Sequence, residues 1–251
     1  AAAMKIVPKS EYDPFECIKT NINGAMNLVD ICIDRGVKKI VALSTDKACS
    51  PSNLYGATKL ISDKVFIAGN TYSASPKTIF SVVRYGNVMG SRGSIIPLFL
   101  DRVNDNTFPI TDIRMTRFMI TLEEGVKLVW KAFQDMKGGE IYVKKIKSMK
   151  VTDIALAIKP GVKYEIIGSR PGEKLHEQMI SPEDASFTYE YEGFYKIFPS
   201  INNVLINKEN INCGKPVSEN FNYSSDTNKE WMTIEELRSW VETHKREIGM
   251  I

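Results

Sequence analysis

Three short apolar runs, at residues 39–43, 79–83 and 141–143, alternate with stretches of helical periodicity, and this alternation limits the possible folds most sharply. Each run is too short for a buried helix. Its nearly unbroken apolar character suits a strand covered on both faces of a parallel sheet. Ahead of the first run, Asp13-Pro14 reads as an N-cap followed by proline at the first helical position. Phe15, Ile18, Ile22, Ala25, Val29 and Ile33 then recur at spacings of three and four. They predict an amphipathic helix from Asp13 to Arg35, ended by Gly36 in the left-handed conformation. A second helix is expected from about residue 54 to 68. Thr121-Leu122-Glu123-Glu124 is a capping box that opens a third, reaching about Met136 and broken by Gly138-Gly139. The pattern predicts a doubly wound α/β sheet.

From about Ser148 the texture changes. Lys159-Pro160-Gly161, Arg170-Pro171-Gly172 and Asn202-Asn203 punctuate shorter elements. A smaller second domain is expected there. A further capping box, Thr233-Ile234-Glu235-Glu236, starts a last helix with Ile234, Leu237, Trp240 and Val241 on one face. A doubly wound dinucleotide fold normally opens with a strand, G-x-G-x-x-G and a helix. This chain has no such motif; its nearest glycine cluster, Gly86 to Gly93, is spaced differently.

The composition narrows the function classes. With 33 Lys and Arg against 30 Asp and Glu, the net charge of +3 is too small to point to nucleic acid as a partner. Phosphate-bearing small molecules need only a few placed cations. The four cysteines (Cys17, Cys32, Cys49, Cys213) form no C-x-x-C pair and read as free thiols of a reducing compartment. Two histidines, His176 and His244, leave no His-rich metal site, and no metal is expected. No apolar run reaches the roughly 18 residues of a membrane span. Ala1-Ala2-Ala3-Met4-Lys5 lacks the pattern of a signal peptide. The expectation is a soluble cytoplasmic protein.

The chemistry-bearing stretch is Ser44-Thr45-Asp46-Lys47 after the first strand, followed by Tyr55-Gly56-Ala57-Thr58-Lys59. Open α/β sheets bind ligands at the carboxyl ends of their parallel strands. Tyr55 and Lys59, four apart, share one helix face. A free phenol has a pKa near 10, and an ammonium one turn away would stabilise its anion, so Tyr55 could exchange protons near neutral pH. Tyrosine and lysine at this spacing also occur by chance on solvated helices, and Asp46-Lys47 alone reads equally as a solvated turn with an adjacent ion pair.

Longer stretches carry a resemblance. They are A-A-A-M-K-x-V-P at 1–8, E-Y-D-P-F-E-C-I-K-T-N-I-N-G-A at 11–25, A-L-S-T-D-K-A at 42–48 and N-L-Y-G-A-T-K-L at 53–60. S-V-V-R-Y-G-N-V-M-G-S-R-G-S at 81–94, P-I-T-D-I-R-M-T-R-F-M-I-T at 109–121 and R-P-G-E-K-L-H-E at 170–177 complete the set. With these the chain resembles the extended short-chain dehydrogenase/reductases, and among them the inverting UDP-N-acetylglucosamine 4,6-dehydratases that serve pseudaminic acid biosynthesis. The resemblance implies a partial Rossmann-type parallel sheet that lacks its first strands, with a smaller C-terminal substrate domain. The nucleotide-binding domain would comprise residues 1–92 and 118–147, and the substrate-binding domain 93–117 and 148–251.

The resemblance also implies a reaction and its residues. The sugar 4-hydroxyl is oxidised, water is lost across carbons 5 and 6, and hydride returns to carbon 6 from a recycled cofactor, NADP with NAD as the other candidate. Tyr55 would be the base at the 4-hydroxyl, with Lys59 on the nicotinamide ribose and Thr45 hydrogen-bonding the sugar. Asp46 would protonate the leaving 6-hydroxyl, and Lys47 would take and return the carbon-5 proton. Asn21, Tyr85, Gly86 and Val88 would line the cofactor. Lys5, Asn87, Arg117, Arg170 and Glu173 would hold the UDP-sugar, with His176 in a supporting role. A homo-oligomer is implied for the full-length enzymes. Two other readings stay open. A UDP-sugar 4-epimerase would use Tyr55 and Lys59 without an Asp-Lys pair. A non-catalytic sugar-nucleotide-binding protein would fit the missing glycine motif.

Overall fold

A computed structural model describes residues 3–72, 78–200 and 211–244; Ala1-Ala2 and the Asn202-Asn203 pair lie outside them. The chain begins with α1 (Val7–Tyr12), α2 (Pro14–Ile18), a π-helical turn (Lys19–Asn23), α3 (Gly24–Asp34), β1 (Lys39–Leu43), a 3-10 turn (Asp46–Ala48), α4 (Leu54–Tyr72) and β2 (Ile79–Arg84). It continues through β3 (Asn87–Val88), α5 (Ile95–Asp101), β4 (Thr107–Ile110), β5 (Thr116–Ile120), α6 (Leu122–Asp135), β6 (Ile141–Lys144), β7 (Lys147–Lys150), α7 (Val151–Ile158) and β8 (Lys163–Ile166). The last elements are β9 (Gln178–Ile180), a second 3-10 turn (Pro182–Phe187), β10 (Thr188–Tyr191), β11 (Phe194–Ile197), β12 (Lys215–Pro216), β13 (Tyr223–Ser224) and α8 (Ile234–His244). They fall into two compact units, residues 1–85, 123–145 and 178–223 in one, and 86–122, 146–177 and 224–251 in the other.

The first unit is built on a sheet of order β1-β2-β6-β11-β10-β12. β1, β2 and β6 run parallel, and β11 joins β6 antiparallel. That pairing places residues 178–223, expected in the second domain, with the first unit. Helices cover both faces of β2, as its apolar run requires. Phe80 packs against Phe66 of α4, while Val83 clusters with Leu128 and Ala132 of α6 and with Met136. Gly69 lets α4 approach closely, since a Cβ there would press on Val29 of α3 and on the Phe80 ring. β1 hydrogen-bonds only β2 within this sheet, and it is not covered on both faces as expected: Lys39, Ile40 and Val41 are half-buried, Ala42 is buried and Leu43 exposed.

The segment read as one helix from Asp13 to Arg35 begins as foreseen. Asp13 accepts from the Glu16 amide, and Gly36 is left-handed at φ 63°. Its middle turn is π-helical, and this alters the buried face. Cys17, Asn21, Ala25 and Val29 are buried at intervals of four, whereas Phe15, counted in the apolar stripe, is 76% exposed.

In the second unit β3 runs parallel to β5, β5 antiparallel to β7, and β4 parallel to β8. Its core stacks Phe99 on Phe108 at 4.8 Å and gathers Met149, Ile154, Leu237 and Val241. The predicted capping box closes reciprocally: Thr233 Oγ1 accepts from the Glu236 amide (3.1 Å), and Glu236 Oε2 accepts from the Thr233 amide (2.9 Å).

Candidate active site

The first unit gathers a polar cluster at the carboxyl end of β1. Ser44 leaves the strand with its amide on the Val83 carbonyl (2.7 Å). Thr45 is extended and caps the 3-10 turn, its Oγ1 accepting from the Lys47 amide. The same hydroxyl donates to Asp46 Oδ1 (2.9 Å), which also accepts from Lys47 Nζ at 3.0 Å. Asp46 is wholly buried, and its amide donates to the Tyr85 carbonyl (3.1 Å). The turn is therefore fixed from both strands, and a charged pair sits where water is largely excluded.

α4 seats the remaining side chains. Its first turn is capped by Asn53, whose Oδ1 accepts from the Gly56 amide (2.8 Å). Gly56 is required by contact, since a Cβ there would overlap the Lys47 carbonyl. Tyr55 is 9% exposed. Burial pushes its phenol up to about 12; the Lys47 cation and a hydrogen bond with Thr45 oppose that rise, and the Asp46 and Asp63 charges add to it. The structure thus brings Thr45, Asp46, Lys47 and Tyr55 together. Lys59, four residues on, donates to the Leu43 carbonyl (2.8 Å). Burial lowers its pKa, against the pull of Asp63. The cation that acts on the Tyr55 phenol is Lys47, whereas the sequence spacing pointed to Lys59.

Asn21 does something other than face a cofactor. Its buried amide clamps the Met4 backbone, donating to the carbonyl and accepting from the amide at 3.0 Å each, and donates to Thr58 Oγ1 at 2.9 Å. Both ends of the side chain are committed to joining the N-terminal segment to α4. Lys5 is exposed.

Tyr85 is half-buried at the end of this stretch of the first unit, and the other expected residues lie in the second unit. Gly86 is needed where the chain passes Phe118, and Asn87–Val88 pair with Met119–Ile120. Arg117 donates to the Thr116 and Leu175 carbonyls (2.7 and 3.1 Å) and lies 4.0 Å from Glu177. Arg170 pairs with Glu173, Nε to Oε1 at 2.9 Å, so two of the groups expected to hold the UDP-sugar satisfy each other. His176 Nδ1 shares a hydrogen bond with Thr116 Oγ1 (2.9 Å).

Two residues of the first unit escaped the sequence reading. Asp63, a further turn beyond Lys59, accepts from Ser44 Oγ at 2.6 Å, and Arg84 reaches it at 3.5 Å. Asp63 falls at the i+8 position from Tyr55, a weak signal that gains meaning only once β1 and α4 are seen side by side. No group of His, Cys, Asp or Glu among the described residues is arranged to hold a metal ion. No helix among them is long and apolar enough to cross a membrane. The donor set of a buried phenol, a partly desolvated ammonium and a hydroxyl fits the ribose end of a nicotinamide cofactor.

The family model described as polysaccharide biosynthesis protein matches residues 1–199. The chain is 54% identical over 246 residues to the UDP-N-acetylglucosamine 4,6-dehydratase (inverting) of Campylobacter jejuni subsp. jejuni serotype O:2, covering 94% of this chain and 73% of that one. It is 40% identical over 202 residues to the UDP-glucose 4-epimerase of Rickettsia felis, covering 78% of this chain and 59% of the relative. Among solved structures, Pen from Bacillus thuringiensis superposes with a TM-score of 0.86 at 35% identity, over 98% of this chain and 75% of that one. The fold is shared with DesIV, a dTDP-glucose 4,6-dehydratase from Streptomyces venezuelae, at a TM-score of 0.63 and 21% identity, over 70% and 61% of the two chains.

Proposed function

The chain belongs to the polysaccharide biosynthesis protein family, and from that premise we propose that it is a 5-inverting UDP-N-acetylglucosamine 4,6-dehydratase. In this reading it uses a nicotinamide cofactor, NADP in preference to NAD, and works in the cytoplasm on a route to pseudaminic acid. The observation that carries the proposal is the buried Asp46–Lys47 pair beside Tyr55. An epimerase needs a proton carrier at one hydroxyl; a dehydratase needs in addition an acid and a base for a second, separate bond cleavage. The 54% identity to a relative of that name supports the same choice.

Tyr55 receives the proton of the sugar 4-hydroxyl, with Thr45 Oγ1 as the orienting hydrogen-bond partner. A bound nicotinamide would supply the hydride exchange at carbons 4 and 6. Tyr55 and Lys59 would hold its ribose. The 4-ketone then acidifies the proton on carbon 5. For elimination, Asp46 must be an acid and Lys47 a base. Transfer of one proton along their 3.0 Å hydrogen bond generates both at once. Burial of Asp46 favours this neutral form, because desolvation penalises charge. Lys47 takes the carbon-5 proton, and Asp46 gives its proton to the departing 6-hydroxyl, which leaves as water. The pair is then ionised again, and the Lys47 ammonium returns a proton to carbon 5 once the enone has turned its other face to Lys47, which inverts that centre. The proton that Tyr55 took from the 4-hydroxyl then restores the Lys47 ammonium. Lys5, Asn87, Arg117, Arg170 and Glu173 keep the substrate contacts implied above; a diphosphate has to draw Arg170 away from Glu173. The test is NMR of the product formed in deuterated water. A 4-keto-6-deoxy sugar with inverted carbon 5 is expected, and retention at carbon 5 or a 4-epimer would overturn the reading.

A further inference from the structure

Beneath the cluster lies a buried charge network that the reaction itself does not use. Asp63 is 1% exposed and Arg84 2% exposed. One Asp63 oxygen, Oδ2, accepts the Ser44 hydroxyl at 2.6 Å and lies 3.5 Å from Arg84 Nη2. Arg84 ends β2 and is pinned in turn, since Nη1 donates to the Met179 carbonyl (2.9 Å) and lies 3.7 Å from Asp184. The next residue, Tyr85, receives the Asp46 amide on its carbonyl. Ser44 immediately precedes Thr45-Asp46-Lys47. One carboxylate therefore joins α4, the end of β1 and the end of β2 at the point where the catalytic turn begins.

An apolar residue would fill this space with no charge to desolvate. A buried ion pair is weak evidence of stability, because desolvation offsets most of its attraction. Its merit is directional: Asp63 Oδ2 fixes the Ser44 hydroxyl, and both strand ends are set against the helix that carries Tyr55 and Lys59. We infer that Asp63, clamped by Arg84, is a positioning residue that holds Ser44 and thereby sets the Thr45-Asp46-Lys47 turn against Tyr55. The inference rests on the dehydratase reading for its effect on turnover, but not for its effect on the turn.

Ser44→Ala is the decisive variant, since it deletes one hydrogen bond and leaves the ion pair intact. Amide hydrogen exchange and steady-state kinetics with UDP-N-acetylglucosamine and NADP are measured on the same 251-residue chain. The amides of residues 44, 46 and 48 should exchange about tenfold faster, while those of β2 and β6 stay within about twofold. kcat should fall about tenfold or more with KM within about threefold, because a misplaced catalytic group lowers turnover and not ground-state binding. Asp63→Asn, which keeps an acceptor oxygen but removes the charge holding Arg84, should produce the same local pattern. Unchanged exchange at residues 44–48 in Ser44→Ala overturns the inference. So does a uniform acceleration across β1, β2 and β6, which marks a merely structural bond. A wild-type chain without turnover counts against the dehydratase reading alone, and the exchange measurement then decides the positioning by itself.

Discussion

A phenol carries protons near neutral pH only where something offsets the cost of its anion. Tyr55 is buried, and its pKa stands at about 12 against an ordinary 10.0, with Lys47 as the cation that limits the rise. Removing that cation in Lys47→Met should move the titration upward, read as phenolate absorbance relative to the matching Tyr55→Phe background; a titration that stays in place would show that the Lys47 charge does not reach the phenol. The same shift has a sign for stability. Below pH 10 both folded and unfolded chains keep the Tyr55 proton. Between 10 and about 12 the unfolded chain releases it first, so stability falls as pH rises through that window. Tyr55→Phe should make the fall shallower in urea titrations across the window. In an active preparation Tyr55→Phe should also lower kcat by roughly 10²–10⁴ with KM little changed; near-normal turnover would remove Tyr55 from the mechanism. The strand, the turn and the four-residue spacing marked Ser44–Lys47 and Tyr55 with Lys59 as a candidate cluster, and the roles given to Thr45, Asp46 and Lys47 came only with the resemblance. They could not show which lysine serves the phenol. That depends on the Leu43 carbonyl at the end of β1, an acceptor that no spacing in the sequence displays.

Elements are placed by close contacts as much as by apolar stripes. α4 lies against the Asp46–Ala48 turn because Gly56 presents no side chain to the Lys47 carbonyl. Gly56→Ala gains up to about 1 kcal/mol from helix preference, but overlap with a fixed backbone carbonyl costs roughly 1–3 kcal/mol. A net loss of up to about 2 kcal/mol is expected from urea unfolding, together with lower turnover as Tyr55 moves off Asp46 and Lys47. A variant more stable than the parent by about the full helix preference, with turnover unchanged, would show that helix and turn are not in contact. Strands with continuous apolar runs and helices with strong caps were legible from the sequence. The helix of residues 13–35 was legible in extent but not in phase: the π-helical turn Lys19–Asn23 keeps every fourth residue buried, and the stripe read at ordinary helical spacing put Phe15 inside. Short strands such as β3 and β12 exist through pairing with distant partners, which local pattern does not encode.

At the scale of the whole molecule, the sheet of the first unit ends on β1 at one edge and on β12 at the other, and several large apolar side chains are exposed. β1 is the terminal strand of its sheet, and Leu43 at its end is 41% exposed. On α3, Ile31 is 56% exposed, and on α6, Trp130 is 60% exposed beside Phe133. The buried stripes of these helices are already engaged, Val29 of α3 at Gly69 of α4, and Leu128 and Ala132 of α6 against Val83 of β2. Ile31 lies outside these buried stripes, and Trp130 meets the Phe133 ring edge-on at the surface. An unpaired strand edge accepts another strand, and exposed apolar patches of this kind are association surfaces. The purified 251-residue chain should self-associate, with light scattering that rises with protein concentration. Ile31→Lys combined with Trp130→Lys should lower that scattering. Unfolding should change by no more than about 0.5 kcal/mol per site, since both side chains point into solvent. If the double variant loses stability instead, the two residues are packed in the folded chain. A parent chain that is monomeric throughout would show that neither the β1 edge nor these side chains drive association, and would count against the homo-oligomer expected from the resemblance.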